Sequence, residues 1–248
     1  MMYGLIGKKL EHSFSSDFFN NKFEKEKIPD SYRLFPIDSI AQLPELIASY
    51  PNLNGLNVTI PYKEEVIPFL DEINSEAKNI GAVNVIKIKR DESGIKLKGY
   101  NTDCIGFRKS LLPLLREDIK NALVLGTGGA SKSIVYVLES LGIKATLVSR
   151  NPEPSQLGYK DLDRETIYHN KLIVNTTPLG MFPDIKQFPE IPYSFLTDRH
   201  ICFDLIYNPT ETEFMKLSQL NGARVKNGLE MLYIQAIESW NIWNTDES

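Results

Sequence analysis

The chain has 248 residues, enough for one large domain or two small ones, with 42% hydrophobic and 24% charged residues as in ordinary folded globular proteins. A formal net charge of −4 without a long basic run gives nucleic acid no electrostatic footing. Two cysteines (Cys104 and Cys202) make no disulfide framework, and three scattered histidines (His12, His169 and His200) have no metal-ligand spacing. No stretch approaches the roughly 18 apolar residues of a membrane span, and the N-terminal segment lacks a signal-peptide layout. The expectation is a soluble, cytoplasmic protein with no membrane, nucleic-acid or metal partner, either a monomer or a homodimer.

In chain order, residues 3–6 read as a short apolar strand, and residues 16–27 as a helix with Phe18, Phe19 and Phe23 at helical spacing. Residues 32–37 form a strand, residues 39–49 a helix disturbed near its start by Pro44, and residues 56–60 a strand. Pro61 suits the first turn of the next helix, where a missing N–H costs nothing; Glu64 and Glu65 suit its positive end. Strands at 83–89 and 95–98, joined by Arg90-Asp91-Glu92-Ser93-Gly94, form a hairpin, and residues 103–115 a helix. This first unit reads as an α/β sheet with one antiparallel edge.

A second unit begins near Asn121. Strands are expected at 122–125, 145–148, 172–174 and 202–205, and helices at 131–141 and 210–221. Residues 228–243 form an amphipathic helix with Leu229, Leu232, Tyr233, Ala236, Ile237 and Trp240 on its apolar side. The fold class is α/β: two α/β domains with a cleft between them.

Gly126-Thr127-Gly128-Gly129-Ala130-Ser131 follows a strand and opens a helix. Gly126 permits a tight turn, and Gly128 lets the main chain approach a pyrophosphate on the helix N-terminus; Ser131 stands where the dinucleotide fingerprint has its third glycine. The next strand ends in Arg150 instead of the acidic residue of an NAD site, and a guanidinium suits the 2′-phosphate of NADP. Taken alone, Lys63 reads as a surface lysine, and Asp103 or Thr102 as a helix cap.

Six motifs in order change that reading. His12-Ser13-Phe14-Ser15, Asn57-Val58-Thr59-Ile60-Pro61-Tyr62-Lys63, Gly81-Ala82-Val83-Asn84, Asn101-Thr102-Asp103, the glycine turn, and Asn227-Gly228-Leu229-Glu230-Met231-Leu232 together resemble the signature of the shikimate dehydrogenase family, over nearly the whole chain. The resemblance implies an N-terminal substrate domain with a mostly parallel sheet (residues 1–103 plus 228–248) and a Rossmann-like NADP-binding domain (residues 104–227). It implies Lys63 and Asp103 as the catalytic pair in reversible, NADPH-dependent reduction of 3-dehydroshikimate to shikimate. Ser13 and Ser15 would bind the substrate carboxylate, their i, i+2 spacing in extended chain setting both hydroxyls on one side. Thr59, Asn84 and Asp103 would hold ring hydroxyls, and Tyr207 and Gln235 would line the substrate side. Gly126, Thr127, Gly128, Gly129, Ala130, Ser131, Arg150 and Thr176 would bind the cofactor, with Gly228 and Met231 near the nicotinamide.

The chain also departs from the family pattern. Pro152 and Pro154 follow Arg150 where a second basic residue is common, Lys132 being one possible substitute, and residues 151–170 look too sparse for the usual helix and strand. Val85 replaces a common threonine, and the chain stops soon after Trp243. Competing readings are a quinate/shikimate dehydrogenase using NAD or NADP, a non-catalytic binding or regulatory module, and another two-domain enzyme such as a folate dehydrogenase, against which Ser13 and Ser15 argue.

Overall fold

The computed structural model describes residues 1–10, 13–92 and 94–245. It divides into two compact units, Met1–Thr102 with Gln235–Ser248, and Asp103–Ile234.

The first unit runs β1 (Met2–Gly7), α1 (Phe14–Glu26), β2 (Ser31–Pro36), α2 (Leu43–Ser49), β3 (Leu53–Val58), α3 (Tyr62–Glu65), β4 (Glu72–Ile73), α4 (Ser75–Ile80), β5 (Val85–Asp91) and β6 (Gly94–Tyr100). These strands form one sheet in the order β2-β1-β3-β5-β6-β4. Strand β1 is parallel to both its neighbours and buried along its whole length. Alternation then assigns its side chains to two cores. Met2 and Ile6 join Leu43, Ile47, Leu56 and Val58. Tyr3 and Leu5 join Phe19, Phe23, Tyr32 and Trp243.

The hairpin is not the edge that the sequence suggested. Strands β3–β5 and β5–β6 are antiparallel, but β4 adds outside β6 in parallel, pairing Glu72 with Lys98 and Ile73 with Gly99. Two residues of strand carry no readable alternation, which hid β4 from the pattern. Ser93, which the sequence places in the hairpin connection, lies outside the described residues.

The second unit runs α5 (Asp103–Leu111), β7 (Asn121–Leu125), α6 (Gly129–Ser140), β8 (Lys144–Ser149), β9 (Leu157–Gly158), α7 (Arg164–His169), β10 (Leu172–Asn175), β11 (Ile201–Asp204), α8 (Glu213–Leu220), β12 (Arg224–Lys226) and α9 (Leu229–Asn244), whose last residues return to the first unit. Helix α5 stops at Leu111 and tightens into a 3₁₀ turn at Leu112–Leu114, because Pro113 has no N–H to continue it. The sheet order is β12-β11-β10-β7-β8-β9, with every pair parallel. The interval after Arg150 does hold a strand and a helix, β9 and α7, though each is short. Its sparse apolar residues are enough: Leu162 and Ile167 are buried in the core beside Leu123 and Phe214.

Helix α9 also corrects the sequence. Tyr233 and Ile237 are 44% and 48% exposed, whereas Met231, Gln235, Ala236, Ser239 and Trp243 are buried. The buried stripe therefore carries polar side chains, and apolarity alone could not find it. At its far end Trp243 donates from Nε1 to the Ile86 carbonyl at 3.0 Å and lies against Gly55, where an added Cβ would collide with the indole. The variant Gly55→Ala should therefore lose about 1–3 kcal/mol of stability from overpacking, seen as a lower midpoint of the first urea transition; an unchanged midpoint would show that the ring can give way.

Candidate active site

In the first unit the motif residues meet through hydrogen bonds. Asn101 Nδ2 donates to the Ala82 carbonyl at 2.9 Å, and the Thr102 N–H donates to Asn84 Oδ1 at 2.7 Å. Asn84 Nδ2 in turn donates to Thr102 Oγ1 at 3.0 Å, so two bonds fix the Asn84 amide. Thr102 Oγ1 also stands 3.5 Å from Gln235 Oε1 on α9. The Val83 N–H donates to the Lys63 carbonyl at 2.7 Å, which holds the α3 turn against the segment before Asn84. Thr59 sits in the approach to that turn, its carbonyl accepting from the Tyr62 N–H at 3.0 Å.

The serine pair is arranged differently from expectation. Ser13 is the N-cap of α1, in extended conformation, while Ser15 is already inside the helix and buried. Strand alternation therefore does not relate them; the turn of the helix does. His12 lies outside the described residues. Tyr32, on β2, donates from Oη to Asn57 Oδ1 at 2.7 Å, and burial pushes its phenol well above the ordinary range, so it stays neutral.

In the second unit the glycine turn lies where strand order reverses. The chain proceeds outward from β7 to β8 and β9, then crosses to β10 on the other side of β7. Such a switch point opens a crevice at the carboxyl ends of the strands. Gly126 has φ +107°, a conformation that favours glycine, and a Cβ there would come within 2.8 Å of Thr176 Oγ1. Thr176 closes the other side, with its hydroxyl donating to the Leu125 carbonyl at 2.7 Å. A Cβ on Gly128 would meet nothing within 4 Å, and no side chain caps the start of α6, a helix of 12 residues. Thr127, Gly129 and Ala130 complete this turn. Ser131 is buried and spends its hydroxyl on the Gly128 carbonyl at 2.6 Å, so its side chain braces the turn.

Arg150, just past β8, lines a cavity of about 800 Å³ together with Gly158, Tyr159, Lys160, Lys186 and Phe188. Burial raises the Tyr159 phenol, and the Arg150 charge partly offsets this. Gly228 packs against the Leu205 main chain, where any Cβ would collide, and its N–H donates to the Ile206 carbonyl at 3.0 Å. That close approach lets α9 start directly beyond β11, with Met231 buried one turn further on. Tyr207 follows the same strand end and is half-buried; Asp103 is the first residue of α5 and is buried. Among the described residues no cluster of His, Cys, Asp or Glu could hold a metal ion, and no helix is long and apolar enough to cross a membrane.

Asp204 was not singled out by the sequence, although it ends β11. It accepts from Thr212 Oγ1 at 2.6 Å, from the Ile206 N–H at 3.0 Å and from Asn175 Nδ2 at 3.0 Å, so it ties together the loops after β10 and β11. An Asp that closes a strand before a proline-containing loop is the signal that could have found it.

A doubly wound, all-parallel sheet with a glycine turn at its switch point defines a dinucleotide-binding type of α/β protein, here joined to a second α/β unit. The comparisons narrow the class. Residues 5–86 match the family model described as the shikimate dehydrogenase substrate binding domain. A shikimate dehydrogenase (NADP(+)) of Clostridium beijerinckii is 39% identical, over 97% of this chain and 91% of that protein. The crystal structure of shikimate dehydrogenase from Aquifex aeolicus superposes with a TM-score of 0.86 at 36% identity, covering all of this chain and 93% of that one. The Thermus thermophilus enzyme, solved with NADP(H) and shikimate, gives 0.84 at 27% identity, over 98% and 93% of the two chains. This chain belongs to the shikimate dehydrogenase family.

Burial raises the Asp204 carboxyl from its ordinary value near 3.8 to about 6, against the opposing hydrogen bonds from Thr212, Ile206 and Asn175. The folded protein thus holds this proton up to about pH 6, while the unfolded chain releases it near pH 4. Stability from this group is greatest below pH 4 and falls as pH rises to 6, by on the order of 2–3 kcal/mol. Asp204→Asn lacks that loss. Its stability relative to wild type should therefore improve between pH 4.5 and pH 7 in urea melts, and a difference independent of pH would remove the assignment.

Proposed function

We propose that this chain is an NADP-dependent shikimate dehydrogenase, interconverting 3-dehydroshikimate and shikimate. The observation that carries the proposal is the similarity to a relative of that name across 97% of the chain. The chemistry of each unit fits it.

We assign the substrate to the unit that contains the substrate-domain match and Gln235, and the cofactor to Asp103–Ile234. Ser13 and Ser15 take the carboxylate. Thr59, Asn84 and Asp103 hold ring hydroxyls, and Tyr207 and Gln235 line the substrate side. Lys63 delivers a proton to the oxygen of the carbonyl being reduced and recovers it in the reverse direction, with Asp103 orienting the ammonium.

The glycine turn fits NADP: Gly126 and Gly128 leave the main chain open, and α6 offers an uncapped N-terminus to phosphate. When bound, NADPH supplies the hydride. Gly126, Thr127, Gly128, Gly129 and Ala130 cradle the pyrophosphate, Ser131 bracing them from below, and Thr176 closes the crevice. Arg150 takes the 2′-phosphate. Lys160, on the wall of the same cavity, supplies the second positive charge that Pro152 and Pro154 cannot. Gly228 and Met231 lie on the nicotinamide side.

The test follows NADPH absorbance with shikimate, quinate and each nicotinamide cofactor. Turnover of shikimate with NADP⁺ is expected, and its absence in a folded, NADP-binding protein would overturn the proposal. In Lys63→Ala, kcat should fall by about 10²–10⁴-fold with the shikimate KM nearly kept, and near-normal turnover would remove Lys63 from proton transfer. Arg150→Ala should weaken NADP⁺ about 10–100-fold and leave NAD⁺ affinity unchanged, measured by titration calorimetry; equal loss for both would assign Arg150 elsewhere.

A further inference from the structure

Asp204 ends β11, is fully buried, and holds the chain on both sides of its strand. Toward β10, its Oδ1 accepts from Asn175 Nδ2 at 3.0 Å. Asn175 Oδ1 accepts in turn from the Thr177 N–H at 3.0 Å and from Thr177 Oγ1 at 2.7 Å. The residue enclosed by these bonds is Thr176, which backs Gly126 in the glycine turn. Toward α9, Asp204 Oδ1 accepts from the Ile206 N–H at 3.0 Å, and the Ile206 carbonyl accepts from the Gly228 N–H at 3.0 Å. The Gly228 carbonyl then accepts from the Leu232 N–H at 2.9 Å, so the first turn of α9 rests on it. The other carboxyl oxygen, Oδ2, accepts from Thr212 Oγ1 at 2.6 Å, at the cap of α8.

One oxygen atom therefore joins two walls. Oδ1 has a lone pair for the loop after β10 and another for the loop after β11, so both bonds can form fully. The ties are short: Asn175 is the neighbour of Thr176, and a single residue, Ile206, links Asp204 to Gly228. Neither loop can turn away without leaving a buried polar group unpaired. All of this lies on the β10–β11 side of β7. Arg150 and Lys160 follow β8 and β9 on the opposite side of β7, where they line their own cavity.

We infer that Asp204 is a positioning residue for the nicotinamide half of the cofactor, fixing the wall at Gly228 and Met231 relative to the wall at Thr176. The inference rests on the proposed function, which gives these residues their places along NADP. Two loops fixed in advance need not be ordered by the ligand, and that saving appears as affinity. The adenosine half, held by Arg150 and Lys160 across the sheet, gains nothing from it. A carboxylate that only stabilised the fold would matter equally to both halves.

The experiment is titration calorimetry on the full-length protein with two probes: NADP⁺, and 2′,5′-ADP, which keeps the adenosine and its 2′-phosphate but has no nicotinamide. In Asp204→Leu the Kd for NADP⁺ is expected to rise about tenfold, and that for 2′,5′-ADP to stay within about twofold of wild type. Asp204→Asn keeps an oxygen that can accept from both Asn175 and Ile206, so it should restore most of the NADP⁺ affinity. Unchanged NADP⁺ affinity in Asp204→Leu, beside a wild type that binds, overturns the inference alone. Equal losses for the two probes overturn it as well, because they would mark general damage to the unit, and so does an Asn variant as weak as the Leu variant. A wild type that binds no NADP⁺ overturns the proposed function and the inference with it. If Asp204→Leu does not fold, Asn175→Leu cuts the same tie from the β10 side, leaves Asp204 its bonds to Ile206 and Thr212, and carries the same expectation.

Discussion

Lys87 buries its ammonium at the end of the last helix, donating to the carbonyls of Ile242, at 2.8 Å, and of Thr245. A buried lysine is costly unless its protons are used, and the carboxyl end of a helix is the place where the main chain offers unpaired acceptors and the negative end of a dipole. Trp243 adds its own bond to the Ile86 carbonyl on the same strand. Residues 86 and 87 on β5 thus fasten α9 by its far end, and the polar stripe of that helix is held in register with Asn57 and Thr102. The first unit depends on this attachment, because α9 supplies part of both its aromatic core and its polar interior.

The two units solve opposite problems. In the first, polar side chains are buried, and each is fixed by hydrogen bonds to its neighbours. Asn84 is pinned twice by Thr102. In the second, the main chain is left bare at its turns, and side chains are kept out of the way. Gly126 is backed by Thr176, Gly228 is backed by the Leu205 main chain, and Ser131 folds its hydroxyl back onto the turn. The first site is specified by pairing and the second by missing atoms.

This contrast also explains what the sequence made legible. The glycine turn and the short motifs around Lys63, Asn84 and Asp103 could be read because each is a run of neighbours with its own spacing. Long strands and helices followed from periodicity. Ser239 could not be found that way: its partner Asn57 lies far off in the chain, and it sits on a helix whose apolar pattern pointed to Tyr233 and Ile237, which are exposed. Tyr32 was hidden for a related reason, since an aromatic residue in a strand reads as core and only its hydroxyl shows otherwise. Strands β4, β9 and β12 are too short to alternate visibly.

The interleaving of the two units along the chain has a consequence for biosynthesis. Strands β1 to β6 leave the ribosome long before α9, because the whole of Asp103–Ile234 is translated in between. During that interval Tyr3, Phe19 and Phe23 lack Trp240 and Trp243, against which they pack at centroid distances of 4.8–5.4 Å in the finished protein. The nascent first unit therefore carries an open aromatic face and a lysine whose acceptors do not yet exist. The second unit is contiguous in sequence and can close its sheet as it emerges. Synthesis order thus favours completion of the nucleotide-type unit first, leaving the older segment in need of protection until the final turns of helix arrive.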